Sequence, residues 1–141
     1  MSSTSVPGRC ACGAVRFELS FPTRFVAHCW CDNCRRAHGA AFVTWAGVKS
    51  EQFRWLSGDE QRGAWRTPTE ATRRFCTSCG ATLTFESPRW AGEVHVAVAH
   101  LEGELDRAVQ AHSYADRAPQ WCAIADELPR FGGHDGNQPL G

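Results

Sequence analysis

The chain has 141 residues, and its 15 basic and 15 acidic side chains cancel to a formal net charge of zero. This length suits one domain with its own core, and the balanced charge disfavours a general attraction to nucleic acid or to an anionic membrane surface. The first nine residues lack the apolar run of a secretory signal, and no stretch approaches about 18 consecutive apolar residues. We therefore expect a cytoplasmic protein, in which thiols persist as metal ligands or nucleophiles.

Most of the predicted elements are short strands. Alternation of apolar and polar residues over 14–19 predicts a half-buried strand. Further strands are predicted from β-branched and aromatic runs at 25–31, 40–48, 53–55, 74–76, 81–85, 94–100 and 105–112. Together with thirteen glycines and the absence of a long amphipathic pattern, these runs favour a mostly β fold with short antiparallel sheets.

Other segments are predicted to lie outside the strands. Residues 32–38 are polar and predict one or two helical turns that end at Gly39. Residues 59–72 carry many charges and predict an exposed connection. We expect a disordered N-terminus at residues 1–8, a single zinc-binding β domain at residues 9–131, and a flexible glycine-rich tail at residues 132–141.

Seven of the eight cysteines fall into three close clusters: Cys10-Ala11-Cys12, Cys29-Trp30-Cys31-Asp32-Asn33-Cys34 and Cys76-Thr77-Ser78-Cys79-Gly80. These short spacings suit zinc better than disulfides. The central three cysteines come from one loop, so gathering them about one ion costs little loop-closure entropy. The two outer pairs then make a four-cysteine structural site, whose metal would stabilise the folded state.

Three alternatives stay open at this point. The outer pairs could pack as small apolar residues without a metal, or one outer pair could share an ion with the central three cysteines. A fourth ligand from His28, His38 or Cys122 could close the central site and make it structural. Without such a role, Cys122 is predicted to be a buried small apolar residue.

Charge indicates what an open three-cysteine site can do. A zinc ion with three thiolates carries one net negative charge, so it polarises water less than a zinc ion with three imidazoles does. Such a site suits a substrate thiol bound as thiolate better than it suits hydrolysis. Arg35 and Arg36 could bind carboxylates of an anionic ligand, or they could be solvated surface charges, and His38 could move a proton.

These motifs resemble the glutathione-dependent formaldehyde-activating enzyme family, which also includes centromere protein V. The resemblance extends over residues 8–131 and includes a C-terminal element of His112, Trp121 and Asp126-Glu127-Leu128-Pro129-Arg130-Phe131. It implies a zinc-ribbon-like fold of the β-tent kind with two zinc ions per chain. It implies a structural zinc on Cys10, Cys12, Cys76 and Cys79 and a catalytic zinc on Cys29, Cys31 and Cys34. The implied activity is addition of glutathione or a similar thiol to formaldehyde, formally a carbon–sulfur lyase reaction in reverse.

Three functional hypotheses follow. In the first, an enzyme adds a thiol held at Cys29, Cys31 and Cys34 to a small aldehyde, with Arg35 and Arg36 on the carboxylates of the thiol and His38 or water as the proton source. In the second, both zinc sites are structural and an aromatic and arginine surface binds a protein or nucleic acid, although zero net charge weighs against nucleic acid. The third is a redox-sensing or metal-transfer role for the central site. We expect no membrane partner and leave a homodimer open.

Overall fold

The computed structural model describes residues 4–141 and contains in that range one α-helix, α1 (Asp32–His38), among many short strands. In chain order the strands are β1 (Ser5–Arg9), β2 (Arg16–Ser20), β3 (Phe25–Cys29), β4 (Val43–Lys49), β5 (Phe53–Ser57), β6 (Arg62–Arg66), β7 (Thr72–Cys76), β8 (Thr82–Glu86), β9 (Glu93–Ala97), β10 (Ala111–Ser113), β11 (Phe131–Gly132) and β12 (Gln138–Pro139). The mostly β fold class with short antiparallel sheets is confirmed. Among residues 4–141, no helix has the length and apolar character needed to cross a membrane.

The chain divides into two compact units, each built from separated segments of sequence. The first unit comprises the chain up to Arg24 together with Ala46–Arg107, and the second comprises Phe25–Trp45 together with Ala108–Gly141. The single domain predicted over residues 9–131 stays a prediction.

The core of the first unit lies against an antiparallel sheet in the order β1-β2-β5. Val6 pairs with Leu19 and Gly8 with Phe17 across β1 and β2, and both Phe17 and Leu19 are fully buried. Gly8 must lack a side chain, because a Cβ there would overlap the Phe17 ring. These apolar positions pack with other buried residues of the unit: Val15, Val48, Leu83, Val94, Val96, Cys10 and Cys76.

The N-terminal prediction is wrong for residues 5–8, because β1 begins at Ser5, while residues 1–3 lie outside the described range. The segment Ser-Val-Pro-Gly has a composition typical of coil, and only its pairing with β2 shows that it is a strand. Val6 is 2% exposed against the core, and the carbonyl of Pro7 accepts a hydrogen bond from the Glu102 backbone N–H. The burial of Val6 and the backbone hydrogen bonds between β1 and β2 therefore hold this segment in a strand.

The rest of the first unit contains an antiparallel run of β6, β7, β8 and β9. The exposed connection predicted over residues 59–72 is wrong where β6 pairs with β7 from Arg62–Cys76 to Arg66–Thr72. The charges that favoured a loop lie on a strand with three exposed positions in five. The Arg62 guanidinium lies 4.4 Å from the Trp55 ring centroid, in a cation–π contact.

The second unit holds the parallel pair β3 and β10 and the antiparallel pair β11 and β12. His112 pairs with His28 and Ser113 with Cys29, which fixes the end of β3. The prediction of a flexible tail at residues 132–141 is wrong, since Gly132 pairs with Gln138. Glycines favoured disorder in the sequence, but here Gly132 and Gly136 permit close packing against Asp116 and Tyr114, where any Cβ would overlap.

Candidate metal centres and active site

The first candidate centre gathers the two outer cysteine pairs in the first unit. The sulfur atoms of Cys10, Cys12, Cys76 and Cys79 all lie within 4.8 Å of one another. The Sγ of Cys12 lies 3.7 Å from that of Cys10 and 3.8 Å from that of Cys76. Four sulfurs held about 2.3 Å from a zinc ion at the corners of a tetrahedron would be ~3.8 Å apart. The sulfur spacing therefore fits zinc.

Each outer pair lies on a turn between two antiparallel strands, and the two turns share one hydrogen-bond pattern. The Cys10 N–H donates to the Val15 carbonyl at 3.0 Å, and the Cys76 N–H donates to the Ala81 carbonyl at 3.0 Å. Each pair is followed by a glycine with positive φ, 83° at Gly13 and 82° at Gly80. This left-handed conformation turns the backbone around the sulfurs at no steric cost, and it is consistent with the two facing knuckles of a zinc-ribbon-like site.

The protonation of these thiols indicates that the cluster suits a cation. A hydrogen bond from the Ala81 backbone lowers the pKa of Cys79 to about 6. The Ala14 backbone has a lowering effect on Cys12, but burial and the neighbouring thiols outweigh it and raise the pKa of Cys12 to about 11. One thiolate thus suppresses ionisation of the next, because like charges this close repel. A bound divalent cation would relieve the repulsion.

The second candidate centre gathers the central three cysteines, here called the trio, in the second unit. Cys29 ends β3, Cys31 caps the start of α1, and Cys34 lies in the first turn of the helix. Their sulfurs lie within 4.8 Å of one another, with 3.6 Å between those of Cys29 and Cys34. The Cys34 N–H donates to the Cys31 Sγ at 3.2 Å. These distances again fit thiolate ligands around one zinc ion.

Two of the three cysteines in the trio are buried. Cys29 and Cys34 are 8% and 5% exposed. Contact with the Cys31 and Cys34 thiols, together with burial, raises the pKa of Cys29 well above its ordinary value. Three thiols this close together, two of them buried, can lose their protons together only with a cation among them, so this donor set also fits a soft divalent metal.

The trio has three ligand atoms and no fourth. Within residues 4–141, no His, Cys, Asp or Glu joins the three sulfurs within 4.8 Å. His28, one candidate for a fourth ligand, shares a hydrogen bond of 2.8 Å between its Nδ1 and the Thr44 Oγ1. His38 packs edge-to-face on Trp45 at 5.2 Å between ring centroids, and Cys122 is half-buried outside both clusters.

The two arginines that follow the trio have different environments. Arg35 donates from Nη2 to Asp32 at 2.5 Å and from Nε to the Trp30 carbonyl at 3.3 Å. The Arg35 side chain thus links the Trp30 carbonyl to the Asp32 carboxylate across the segment that carries the trio, which we call the trio loop. Arg36 is exposed and forms no ion pair within residues 4–141. Helix α1 ends as predicted, with Gly39 in the left-handed conformation at φ 61°.

Sequence reasoning missed a hydrogen-bonded chain behind the trio. The Trp30 indole N–H donates to His112 Nδ1 at 2.8 Å, so the ring proton of His112 lies on Nε2, which donates to the Asp126 carboxylate at 2.8 and 3.0 Å. Trp30 and His112 are each 2% exposed. The hydrogen bond from His112 lowers the pKa of Asp126. This chain fixes the indole that separates Cys29 from Cys31.

A second missed contact reaches the trio loop from the segment after β10. Arg117 donates from Nη2 to Asp32 Oδ2 at 2.5 Å and from Nε to Oδ1 at 3.4 Å. Asp32 is therefore shared by two guanidiniums, Arg117 and Arg35, and the hydrogen bond with Arg117 is the main reason that its pKa is lowered. The sequence signal for the first missed contact is the occurrence of Trp30, His112 and Asp126 in the family-like motifs, whereas Arg117 belongs to none of those motifs.

Comparison with known proteins places the chain in a family. Residues 5–123 match the family described as glutathione-dependent formaldehyde-activating enzyme. The chain belongs to this family. A Halomonas elongata protein provisionally named glutathione-dependent formaldehyde-activating enzyme is 26% identical over 124 residues, which cover 83% of this chain and 79% of that protein. A Schizosaccharomyces pombe protein named as an uncharacterised lyase is 27% identical over 78 residues, 55% of each chain.

The chain is also similar to a solved structure. The crystal structure of a Rhodobacter sphaeroides protein superposes with a TM-score of 0.61 at 31% identity and covers 72% of this chain and 92% of that one. The matched range of the glutathione-dependent formaldehyde-activating enzyme family includes both cysteine clusters, His112 and Arg117. Asp126 and the pair β11–β12 lie beyond it.

Proposed function

We propose that this chain is a zinc-dependent enzyme of the carbon–sulfur lyase type, which adds glutathione or a similar thiol to formaldehyde or another small aldehyde. The thiol loses its proton, and its sulfur forms a bond to the carbonyl carbon. The carbonyl π bond opens to an alkoxide, which takes up a proton. The product is an S-hydroxymethyl adduct, and no electrons are gained or lost overall.

The observation that carries this proposal is the cluster of three cysteine sulfurs on one short loop, joined by no fourth ligand in the described part of the chain. A working zinc site keeps a position for substrate, whereas a structural site is filled by four protein ligands. The four-cysteine cluster of the first unit has the second character, which supports a structural role for Cys10, Cys12, Cys76 and Cys79. Family membership and the lyase name of one relative favour an enzyme.

Each side chain near the trio has a role in this proposal. A zinc ion held by Cys29, Cys31 and Cys34 would supply a soft Lewis acid that favours the thiolate form of the substrate. His38 follows Cys34 by four residues on α1 and so lies on the same face of the helix. We assign to His38, or to water, the proton that the alkoxide takes up. Arg35 orients the loop through Asp32, and the exposed Arg36 is available to a substrate carboxylate.

The partners in this proposal are a small thiol and a small aldehyde, and the location is the cytoplasm, where thiols stay reduced. Addition of thiols to formaldehyde also proceeds unaided, so the acceleration required is modest and can come largely from orientation.

The test measures the rate of adduct formation by exchange NMR with glutathione and formaldehyde, with and without zinc-loaded protein. We expect acceleration above the unaided rate with the native chain and with Cys122→Ser, which lies outside both clusters, and none with Cys31→Ser. A native protein that binds two zinc ions and accelerates no thiol would reject the enzyme and favour the structural binding module.

A further inference from the structure

An unusual ion-pair cluster adjoins the trio. The carboxylate of Asp32, the residue after Cys31, accepts hydrogen bonds from both Arg35 and Arg117. One carboxylate therefore balances only one of the two guanidiniums, and the exposed Arg36 adds a third positive charge on the same helix. Asp116, the residue before Arg117, adds a negative charge that acts on Arg117, and its carboxylate accepts a hydrogen bond from the Gly133 backbone N–H at 3.1 Å.

Arg117 uses only part of its donor capacity. A guanidinium has five N–H donors, and Arg117 directs Nε and Nη2 at Asp32. Within residues 4–141, Nη1 has no acceptor, and 58% of the side chain is exposed. The end of the fork formed by Nη1 and Nη2 is therefore open to a second carboxylate, in the bidentate geometry that arginine favours.

The C-terminal residues hold Arg117 in place. Arg117 ends the short 3-10 turn Ala115–Arg117, which starts from Tyr114 with a positive φ of 54°. Ser113 donates from its hydroxyl to the Gly136 carbonyl at 3.2 Å, and Gly136 packs against the Tyr114 ring. This support reduces the conformational freedom that Arg117 would lose on binding a ligand.

We propose that Arg117, docked on Asp32 beside the trio, binds a carboxylate of the thiol substrate and so selects anionic thiols over neutral ones. This specificity role rests on the proposed function. Asp32 directly follows Cys31 in sequence and accepts hydrogen bonds from Arg117, so the substrate should carry a carboxylate in the same small molecule as its reacting thiol. Small peptide thiols that carry a free carboxylate meet this requirement.

The first measurement is binding of S-methylglutathione, which keeps both carboxylates but has no free thiol, to the zinc-loaded protein by titration calorimetry. We expect Arg117→Ala to weaken binding about tenfold, at the lower end of the effect of a charge-assisted hydrogen bond, and Arg117→Lys to weaken it less. The matched control is Arg54→Ala, which removes an exposed arginine whose Nε and Nη2 both donate to the Glu18 carboxylate. This control should bind like the native chain, and the diethyl ester of S-methylglutathione should bind every variant weakly and alike.

The second measurement compares the rates of glutathione and 2-mercaptoethanol addition to formaldehyde. We expect Arg117→Ala to raise the KM for glutathione about tenfold and to change the addition of 2-mercaptoethanol, which has no carboxylate, much less. Equal losses with both thiols would show a structural role and overturn the inference, as would unchanged binding of S-methylglutathione or no binding to the native chain. If the protein accelerates the addition of 2-mercaptoethanol to formaldehyde and Arg117 has no role, the further inference fails and the proposed function stands. If binding of S-methylglutathione depends on Arg117 but no thiol addition is accelerated, the proposed function alone is rejected.

Discussion

The two cysteine clusters should contribute unequally to stability, because they cross-link the chain over very different lengths. Cys12 and Cys76 are 64 residues apart in sequence, whereas Cys29 and Cys34 are 5 apart. Treating each metal centre as a cross-link, the loop-closure entropy removed from the unfolded chain corresponds to about 4 kcal/mol for the long loop and about 2 kcal/mol for the short one at 25 °C. The total stability of a domain is only about 5–15 kcal/mol.

The perturbation removes two thiols from one centre at a time. Cys76→Ser with Cys79→Ser deletes one arm of the four-cysteine centre, and Cys31→Ser with Cys34→Ser leaves a single cysteine of the trio. Each pair contains one buried cysteine and one more exposed cysteine, so the direct cost of replacing sulfur by a hydroxyl is closely matched between the two variants.

The assay is urea unfolding followed by tryptophan fluorescence, with each protein measured both zinc-loaded and chelated. For a urea m-value of about 2 kcal/mol/M, the metal-dependent part of the midpoint should fall by about 2 M in the first variant and by about 1 M in the second. In chelator, the two variants should differ little from each other. An equal fall in both variants, or a larger fall in the trio variant, would refute the cross-link reasoning.

Three further predictions follow from the same geometry. In metal-free protein at pH 7, Cys79, whose pKa is lowered to about 6, should be the first of the seven clustered thiols to be alkylated. The rate of Cys79 alkylation should fall as the pH drops below about 6, because the thiolate is the nucleophile. Mass mapping after brief iodoacetamide treatment checks the order of alkylation. Trp30→Phe leaves the buried His112 Nδ1 without its donor and should cost about 2–4 kcal/mol of unfolding free energy from the lost hydrogen bond and the smaller ring; His112→Ala combined with Trp30→Phe should cost less than the sum of the two single variants. Gly136→Ala adds a Cβ against the Tyr114 ring at a φ of 77° and should destabilise the C-terminal pair of strands, seen as faster amide exchange at residues 131–139, while Gly92→Ala, at a φ of 81° with open space around it, should leave that exchange unchanged.

The features that sequence predicted correctly are those whose signals lie within a few residues. The helix over Asp32–His38 was predicted to its last residue, because Gly39 is a local stop signal. The arms around Cys76 and Cys79 were likewise predicted, because a glycine after the second cysteine and two β-rich flanks lie within one short window. The association of the two outer pairs followed from metal chemistry rather than from strand patterns.

The features that sequence missed depend on contacts between distant residues. Strand β6 is paired and largely exposed, so no apolar alternation marks it. Arg117 meets Asp32 across 85 residues and Trp30 meets His112 across 82, and no spacing rule reaches so far. Arg35 was expected to be free for substrate, whereas Asp32 and the Trp30 carbonyl already occupy much of its fork. An arginine beside a candidate site can therefore be interpreted only when its neighbours are known.

Each cysteine cluster takes all of its sulfurs from one compact unit. Loading with metal can therefore be incomplete in a particular way, in which a molecule retains the ion of the four-cysteine cluster and lacks the other. Under the proposed function, such a preparation would pass tests of folding and solubility and would still be inert. Specific activity should accordingly be expressed per mole of ion at Cys29, Cys31 and Cys34. A low turnover number per mole of polypeptide would then report incomplete metal loading during preparation rather than the chemistry of the site.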